Sequence, residues 1–295
     1  MSIKLIYDTD IGSDIDDALA LAYLLAQPEC ELLGVTTVTG EAERRAMMVS
    51  ALCKAAGKSI PIYPGVERPL LAPTRQPHSP QADALDKWPH DTNFPRAEAI
   101  EFMRQTIRAH PGEVTLLGTG PMTNIALLFT IDPDIPALLK RLVLMCGIFD
   151  RQQTSTQPVN EPEWNALNDP HAAEIVYRAP VALHQSVGLD VTTRVTMPVP
   201  EFRARCTAPL LQPILDFAAI WSSNYDTITF HDPLAAVCIF NPAICTFTPG
   251  TVSVELDNND LAGETHWNPT EPNPRNQVAF SVEPALFFQE YFRVF

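Results

Sequence analysis

Short apolar runs alternate with amphipathic stretches along most of the chain. The apolar runs predict strands near residues 3–8, 32–38, 114–118, 141–146, 181–185 and 252–256. The amphipathic stretches, with apolar residues every three or four positions, predict helices near residues 16–27, 42–57, 96–109, 121–131, 169–179, 206–224 and 232–240. Strands that alternate with helices favour an α/β fold: a doubly wound, mostly parallel sheet with helices on both faces. In such folds, ligands bind at the carboxyl ends of the strands.

The 28 prolines are concentrated in residues 61–95, 158–180, 196–213 and 268–284. We interpret these segments as long ordered loops over the ligand-binding edge and as a carboxyl-terminal excursion, and not as linkers between domains. The 295 residues are therefore expected to form a single domain, residues 1–295.

The composition is strongly acidic, with a formal net charge of −15. A nucleic acid or an anionic membrane would need a basic face, so neither is an expected partner, and a neutral or cationic small molecule fits better. The six cysteines form no Cys-x-x-Cys pair and lie mostly in apolar runs, which favours buried, reduced thiols. The sequence also lacks a basic leader and an apolar run of membrane-spanning length, so a cytoplasmic location is expected.

Acidic residues crowd the end of the first predicted strand and the start of the first predicted helix. They are Asp8, Asp10, Asp14, Asp16 and Asp17. One such acid would be ordinary at a helix start, where the helix dipole favours negative charge. Several together repel one another, and no basic residue lies between Lys4 and Arg44 to offset them. A bound hard cation explains the cluster, and Ca²⁺ accepts flexible carboxylate and carbonyl coordination better than Mg²⁺ does.

Two familiar acidic motifs fit this segment poorly. An EF-hand loop that begins at Asp8 would need glycine and glutamate where the chain has Ser13 and Leu19, so we discard it. A phosphatase of the haloacid dehalogenase type also begins with a strand followed by Asp-x-Asp, with Asp8 as nucleophile. That class usually has Thr or Val where Gly12 stands, and no basic residue follows at the spacing that it requires.

Further motifs follow in a fixed order along the chain. Residues 8–21 read Asp-Thr-Asp-Ile-Gly-Ser-Asp-Ile-Asp-Asp-Ala-Leu-Ala-Leu, and residues 60–70 read Ile-Pro-Ile-Tyr-Pro-Gly-Val-Glu-Arg-Pro-Leu. Residues 114–126 read Val-Thr-Leu-Leu-Gly-Thr-Gly-Pro-Met-Thr-Asn-Ile-Ala, residues 163–170 read Glu-Trp-Asn-Ala-Leu-Asn-Asp-Pro, and residues 231–233 read His-Asp-Pro. In this order the chain resembles the nucleoside hydrolases of the inosine-uridine preferring type, which are Ca²⁺-dependent N-ribohydrolases.

The resemblance implies a ribonucleoside substrate, a homodimer or homotetramer, and a role for each matching residue. The implied Ca²⁺ ligands are Asp10, Asp17, Asp232 and the backbone carbonyl of Thr123. The implied ribose contacts are Asp16 and Asn165 at the 2′- and 3′-hydroxyls, Glu163 at the 5′ side, and Trp164 packed beside the sugar. Alone, Trp164 would more often belong to a core than to a ligand site. Thr123 or Asn124 is also expected to cap the helix that follows Gly120.

Cleavage of an N-glycosidic bond requires an activated water, a stabilised oxocarbenium-like sugar and help for the departing base. A water bound to Ca²⁺ and touching a carboxylate is both oriented and partly deprotonated, and Asp10 is the expected carboxylate. Direct attack by water predicts inversion at the anomeric carbon. His231 is expected to protonate the leaving base, as an imidazole kept cationic beside Asp232. The alternative is that His231 merely neighbours a helix cap.

Two departures from the family pattern concern substrate contacts. The family's Val-x-Gly-Asn segment ends here in Glu41, which is expected either to pair with Arg44 or Arg45 or to contact the substrate. An asparagine expected before the Glu-Trp-Asn motif has no clear counterpart, and Asn160 is the nearest candidate.

The remaining candidates are histidines. His78 and His90 lie in a proline-rich loop where the family often carries a histidine near the base.

A protein that binds ribose or a nucleoside with Ca²⁺ but lacks turnover is an alternative to the enzyme, and the combination of Asp10 with His231 favours the enzyme.

Overall fold

The computed structural model describes residues 2–150, 162–221, 225–258 and 260–295. The strands are β1 Ile3–Thr9, β2 Cys30–Thr37, β3 Ile62–Pro64, β4 Val114–Gly118, β5 Arg141–Met145, β6 His184–Val187, β7 Thr196–Pro198, β8 Thr227–Thr229, β9 Cys245–Val254, β10 Thr265–Asn268 and β11 Asn276–Val282. The helices are α1 Asp16–Ala26, α2 Ala42–Ala55, α3 Ala99–Ala109, α4 Thr123–Ile131, α5 Ile135–Leu138, α6 Trp164–Asn168, α7 Pro170–Arg178, α8 Leu189–Thr192, α9 Val199–Arg205, α10 Gln212–Trp221, α11 His231–Phe240 and α12 Pro284–Phe292, with 3₁₀ helices at Pro80–Lys87 and Pro209–Leu211.

Within these ranges, nine strands form one sheet in the order β10-β9-β11-β6-β5-β4-β1-β2-β3. The strands from β3 to β6 pair in parallel, and β11 extends them in parallel beyond β6. The pairings of β9 with β10 and with β11 are antiparallel. The predicted mostly parallel sheet is therefore confirmed.

Strand β1 lies inside the sheet, third from one edge, and is buried on both faces. Leu5 and Tyr7 join a core cluster on one face, and Ile6 joins a second cluster on the other. Each fully buried side chain of this size contributes about 1.5–3 kcal/mol through the hydrophobic effect. This packing fixes the strand, and with it the position of the acidic segment at its carboxyl end.

Strand β1 pairs with β2 on one side and with β4 on the other. The chain thus leaves β1 in one direction for β2 and later returns on its other side. This reversal of strand order opens a crevice at the carboxyl ends of the strands, where ligands bind in open α/β sheets.

Several predicted boundaries were wrong for identifiable reasons. The helix expected at 206–224 is divided, because Pro209 and Pro213 lack a backbone N–H and each stands at a helix start. The strand expected at 252–256 begins earlier, at Cys245, and the one expected at 181–185 begins later, at His184. No helix among the described residues is both long and apolar enough to span a membrane.

Candidate functional site

A cavity of about 780 Å³ opens at the carboxyl edge of the sheet, beside β1 and β4. Its lining includes Asp10, Ser13, Asp14, Asp16, Asp17, Gln76, Gln81, Thr119, Glu163, Trp164, Asn165, Trp221, Tyr225, His231 and Asp232. Six of these residues are carboxylic acids. The strongly negative wall disfavours an anionic substrate such as a phosphate ester.

The turn after β1 brings its carboxylates into the cavity. Gly12 has φ +120°, and a Cβ there would lie 3.0 Å from Met48 Sδ and from Ser79 Cβ. Only glycine adopts this conformation without strain and fits so close to its neighbours. The chain can therefore turn sharply after Asp10, and Asp16 and Asp17 enter the cavity from the first turn of α1.

Three buried carboxylates from opposite ends of the chain converge here. Oxygen atoms of Asp16, Asp17 and Asp232 lie within 4.8 Å of one another. The N–H of Asp232, at the start of α11, donates to Asp16 Oδ2 (3.1 Å). The hydroxyls of Thr9 and Thr119 donate to Asp17 Oδ1 at 2.5 and 3.1 Å. Strands β1 and β4 thus hold Asp17 in place against its acidic neighbours.

Burial, together with repulsion among the carboxylates, raises the pKa of each of Asp16, Asp17 and Asp232 well above the ordinary value of an aspartate. These groups are costly to ionise together unless a cation joins them. Three carboxylates that offer only oxygen atoms match the ligand preference of a hard divalent ion. The residues present therefore fit a metal site, in which Asp17 and Asp232, expected as ligands, lie beside Asp16, expected as a ribose contact.

Asp10 lines the same cavity with its carboxylate in a fixed orientation. Gln76 Nε2 donates to Asp10 Oδ2 at 2.8 Å, and Arg45 Nη1 donates to the backbone carbonyl of Asp10. Burial raises the pKa of the Asp10 carboxyl, and the charge of Arg45 and the hydrogen bond from Gln76 oppose that effect. Two neighbours from distant segments thus favour the ionised form of Asp10.

The predicted ribose contacts lie on the facing wall, at the start of α6. Glu163 caps this helix by accepting from the N–H groups of Asn165 (2.8 Å) and Ala166 (3.0 Å). Burial raises the pKa of Glu163, and these backbone hydrogen bonds oppose the rise. Asn165 Nδ2 donates to the carbonyls of Thr119 and Met145, which fixes the side chain at the ends of β4 and β5.

His231 also lines the cavity, and its Nδ1 lies 2.7 Å from Thr192 Oγ1. Burial lowers the pKa of His231 to about 4. Burial thus favours the neutral imidazole, and the cationic form expected beside Asp232 stays a prediction. If the Thr192 hydroxyl donates to Nδ1, the ring proton resides on Nε2.

Three other predicted residues, Thr123, Glu41 and His78, are not among the residues that line the cavity. Thr123 is buried and its hydroxyl donates to Asp169 Oδ2 at 2.7 Å. Glu41 accepts from the N–H and hydroxyl of Ser79 and pairs with Arg44 at 3.2 Å, so its carboxylate holds a loop. His78 is exposed and lies 3.4 Å from Glu41.

The last two predicted positions are His90 and Asn160. The ring of His90 lies 2.8 Å from the carbonyl of Trp88 and is absent from the cavity lining. Asn160 lies outside the described residues.

Sequence reasoning missed residues that carry no motif. Gln76 and the fully buried Arg45 contact Asp10 from loop and helix positions that periodicity does not single out. Trp221 and Tyr225 stack with ring centroids 4.5 Å apart at the cavity wall. Aromatic residues near the break between α10 and β8 were the available signal for this pair.

Comparison with known proteins gives a consistent result. A family model described as inosine-uridine preferring nucleoside hydrolase matches residues 5–289. The inosine-uridine preferring nucleoside hydrolase of Leishmania major is 31% identical, over 96% of this chain and 94% of that protein. Uridine nucleosidase 1 of Arabidopsis thaliana is 29% identical, over 91% of this chain and 85% of that protein.

Solved structures show the same fold. A purine-preferring ribonucleoside hydrolase from Gardnerella vaginalis superposes with a TM-score of 0.84 at 25% identity, and the match covers 99% of this chain and 97% of that one. A plant nucleoside hydrolase superposes with the same TM-score at 23% identity, and the match covers 100% of this chain and 99% of that one.

Proposed function

The chain belongs to the inosine-uridine preferring nucleoside hydrolase family, and we propose that its cavity holds Ca²⁺ and a ribonucleoside during hydrolysis of the N-glycosidic bond. The predicted reaction class, a hydrolase that acts on N-glycosyl compounds, is confirmed by this membership. The phosphatase alternative is thereby excluded. The metal ion, the residue roles and the preferred base are the proposed parts.

The cluster of Asp16, Asp17 and Asp232 carries the proposal. Its carboxylate oxygens lie within 4.8 Å of one another inside the cavity, and burial makes their shared negative charge costly without a cation. We propose that Asp10 and the backbone carbonyl of Thr123 complete the protein ligands. A divalent ion held there would acidify a bound water molecule and would attract the oxygen atoms of the sugar hydroxyls.

The facing wall is proposed to hold the ribose. The donors of Asn165 are used by backbone carbonyls, so its Oδ1 remains to accept a sugar hydroxyl. Asp16 accepts the other hydroxyl. Glu163 faces the 5′ side, and the half-exposed indole of Trp164 packs beside the sugar. This set selects a ribonucleoside because each ribose hydroxyl meets a fixed acceptor.

Asp10 and His231 are proposed to move the protons. Gln76 occupies Oδ2 of Asp10, so Oδ1 accepts the proton of the attacking water. The cationic form of His231, held by the hydrogen bond between Nδ1 and Thr192, gives its Nε2 proton to the departing base and is left as the neutral imidazole. Water attacks directly without a covalent intermediate, and the anomeric carbon inverts.

The base is proposed to stack on the pair of Trp221 and Tyr225, since flat aromatic rings pack well on one another. Relatives are named for uridine, for inosine and for purines, so both base classes belong in the assay.

We also propose a cytoplasmic homodimer or homotetramer built from a single domain. The match over residues 5–289 and the six free cysteines support the single domain and the reducing compartment.

The test is a panel of purine and pyrimidine ribonucleosides, each assayed for released reducing sugar with and without a chelator. We expect hydrolysis of at least one nucleoside, loss of activity with the chelator, and recovery with Ca²⁺. Nucleoside binding by calorimetry without release of sugar would instead identify a non-catalytic binding protein.

A further inference from the structure

The side-chain amide of Gln76 bridges two walls of the cavity. Its Nε2 donates to Asp10 Oδ2 at 2.8 Å and to Ser13 Oγ at 2.7 Å. Its Oε1 accepts from the indole Nε1 of Trp164 at 2.7 Å. These contacts use both amide hydrogens and the carbonyl oxygen, so a flipped amide would lose all three.

The backbone around Gln76 is itself held in place. Arg45 Nη2 donates to the carbonyl of His78 at 2.9 Å. Glu41 Oε2 accepts from both the N–H and the hydroxyl of Ser79, each at 2.8 Å. The Gln76 side chain is therefore presented from an anchored loop and is only 5% exposed. A buried group anchored in this way is pre-organised before any ligand arrives.

The amide fixes the plane of the Asp10 carboxylate. Oδ2 is committed to Gln76, and Oδ1 lies next to Gly120, where any side chain would crowd it because a Cβ would lie 3.0 Å away. A rotation of the carboxylate would therefore break the bond to Gln76. The orientation of Asp10 thus depends on a contact that lies outside the acidic cluster.

The other end of the bridge is Trp164, the residue directly after Glu163. Its ring is 47% exposed and lines the cavity, while its N–H is held by Gln76. A sugar that packs on this ring contacts an indole whose N–H is bonded to Gln76. Gln76 in turn donates to the carboxylate of Asp10. Contact with the substrate and orientation of the carboxylate are therefore linked through one amide.

We propose that Gln76 is a positioning residue for hydrolysis, which holds the Asp10 carboxylate and the Trp164 indole in one fixed arrangement. This inference rests on the proposed function, because it assigns Asp10 to the attacking water. Gln76 need not touch the substrate. Its contribution is to keep the Asp10 carboxylate and the Trp164 indole in a fixed relative position. Such alignment of reacting groups can change a rate by orders of magnitude.

The decisive variant is Gln76→Met, which keeps the length and volume of the side chain and removes its donors and acceptor. We expect kcat to fall roughly 10–100-fold with little change in KM, and the Ca²⁺ dissociation constant to rise about tenfold. The matched control is Gln27→Met. Gln27 is a buried glutamine bonded to Tyr23 at the far end of α1, and its loss should lower stability without changing kcat per folded molecule.

A double-mutant cycle tests the bridge itself. Trp164→Phe keeps a ring in the cavity and removes the N–H, and we expect it to lower kcat several-fold. In the Gln76→Met background it should have almost no further effect, because its partner is already gone. We also expect Gln76→Met to change the tryptophan emission, because Trp164 loses its hydrogen-bond partner, and we expect no such change in the Trp164→Phe background.

Three results would overturn the inference. One is a kcat for Gln76→Met within about twofold of wild type, and another is a loss fully explained by a smaller folded fraction. The third is additive losses in the double variant. A wild-type chain that hydrolyses no nucleoside would refute the proposed function instead, and the calcium titration and fluorescence readouts separate that case from failure of the bridge.

Discussion

Arg45 donates a hydrogen bond from Nη1 to the backbone carbonyl of Asp10, and its guanidinium is fully buried. Further donors reach the carbonyls of Gly40 (2.8 Å), Ile11 (3.0 Å) and His78 (2.9 Å). The cation is thus surrounded by carbonyl oxygens close to the acidic cluster. It raises local positive potential while it holds the turn that carries Asp10.

Replacement of Arg45 by an uncharged residue should destabilise the folded protein. We expect Arg45→Met to lower the free energy of unfolding by about 3–5 kcal/mol, because it orphans buried carbonyls and removes positive charge beside the carboxylates. Urea unfolding with saturating Ca²⁺ measures the loss. Arg141→Met is the matched control, since Arg141 is a half-buried arginine at the amino end of β5, on the opposite edge of the sheet. Its loss should lower the free energy of unfolding by clearly less, and equal losses for both variants would contradict the prediction.

The acidic cluster should bind Ca²⁺ through Asp232. Since the number of carboxylates sets calcium affinity, we expect Asp232→Asn to weaken binding by roughly a hundredfold in calorimetry. Asp10→Ala should lower kcat by roughly 10²–10⁴-fold in the reducing-sugar assay, because it removes the acceptor of the water proton. Asp132→Asn, at the end of α4, is the control that should leave both values intact. Undiminished calcium binding by Asp232→Asn would refute the ligand assignment.

The role of His231 can be separated from general damage by the choice of leaving group. We expect His231→Ala to lower kcat on natural nucleosides by roughly 10²–10⁴-fold and on an activated nitrophenyl riboside only slightly, because that leaving group needs no proton. Thr192→Val should show the same selectivity with a smaller loss, since it frees the imidazole tautomer. Thr130→Val, which removes a hydroxyl bonded to the Ala126 carbonyl, is the control. Equal losses on both substrates would remove the acid assignment.

Glu41 should give the loop a pH-dependent anchor. Burial alone would raise its pKa, but hydrogen bonds from Ser79, with His78 and Arg44, outweigh burial and lower the pKa from 4.5 to about 2. Because the folded pKa is depressed, this stabilisation is present above pH 4.5 and is lost as the pH falls toward 2.

The test compares Glu41→Gln with wild type by urea unfolding at several pH values. The variant should be about 1 kcal/mol less stable at pH 7, and the difference should shrink below pH 4.5. Glu101→Gln, on the exposed surface of α3, should have a smaller effect because solvent screens its pair with Arg104. A difference that stays constant from pH 7 to pH 3 would argue against the anchor.

Local sequence patterns predicted the elements whose apolar residues recur with the period of a helix or strand and are buried in the structure. β1 and α1 lie close to their predicted bounds, because the apolar runs there match the buried faces. The strands β10 and β11 and the last helix α12 were missed. Two of the four β10 residues are exposed, and β11 begins with polar residues inside the proline-rich segment 268–284, so the apolar pattern of both strands is weak.

The site was predicted where motifs carry the chemistry and missed where tertiary contacts do. Asp16, Asp17 and Asp232 converge as a shared ligand cluster requires. Thr123 or Asn124 was expected to cap a helix, yet the Thr123 hydroxyl donates to Asp169. The Asn124 amide donates to Asp8 and its carbonyl accepts from Val66, so this side chain ties strand ends together. No side chain caps α4. Local spacing does not reveal partners so distant in the chain.

The hydrogen bond from the N–H of Asp232 to Asp16 joins positions 216 residues apart. A ribosome that adds roughly 5–20 residues per second needs roughly 10–40 s to travel between them. During that interval the emerging amino-terminal acids have no carboxylate from α11 beside them. If the proposed metal site is correct, we expect competence for hydrolysis to arise late in biogenesis and a chain interrupted before residue 232 to be inert toward nucleosides.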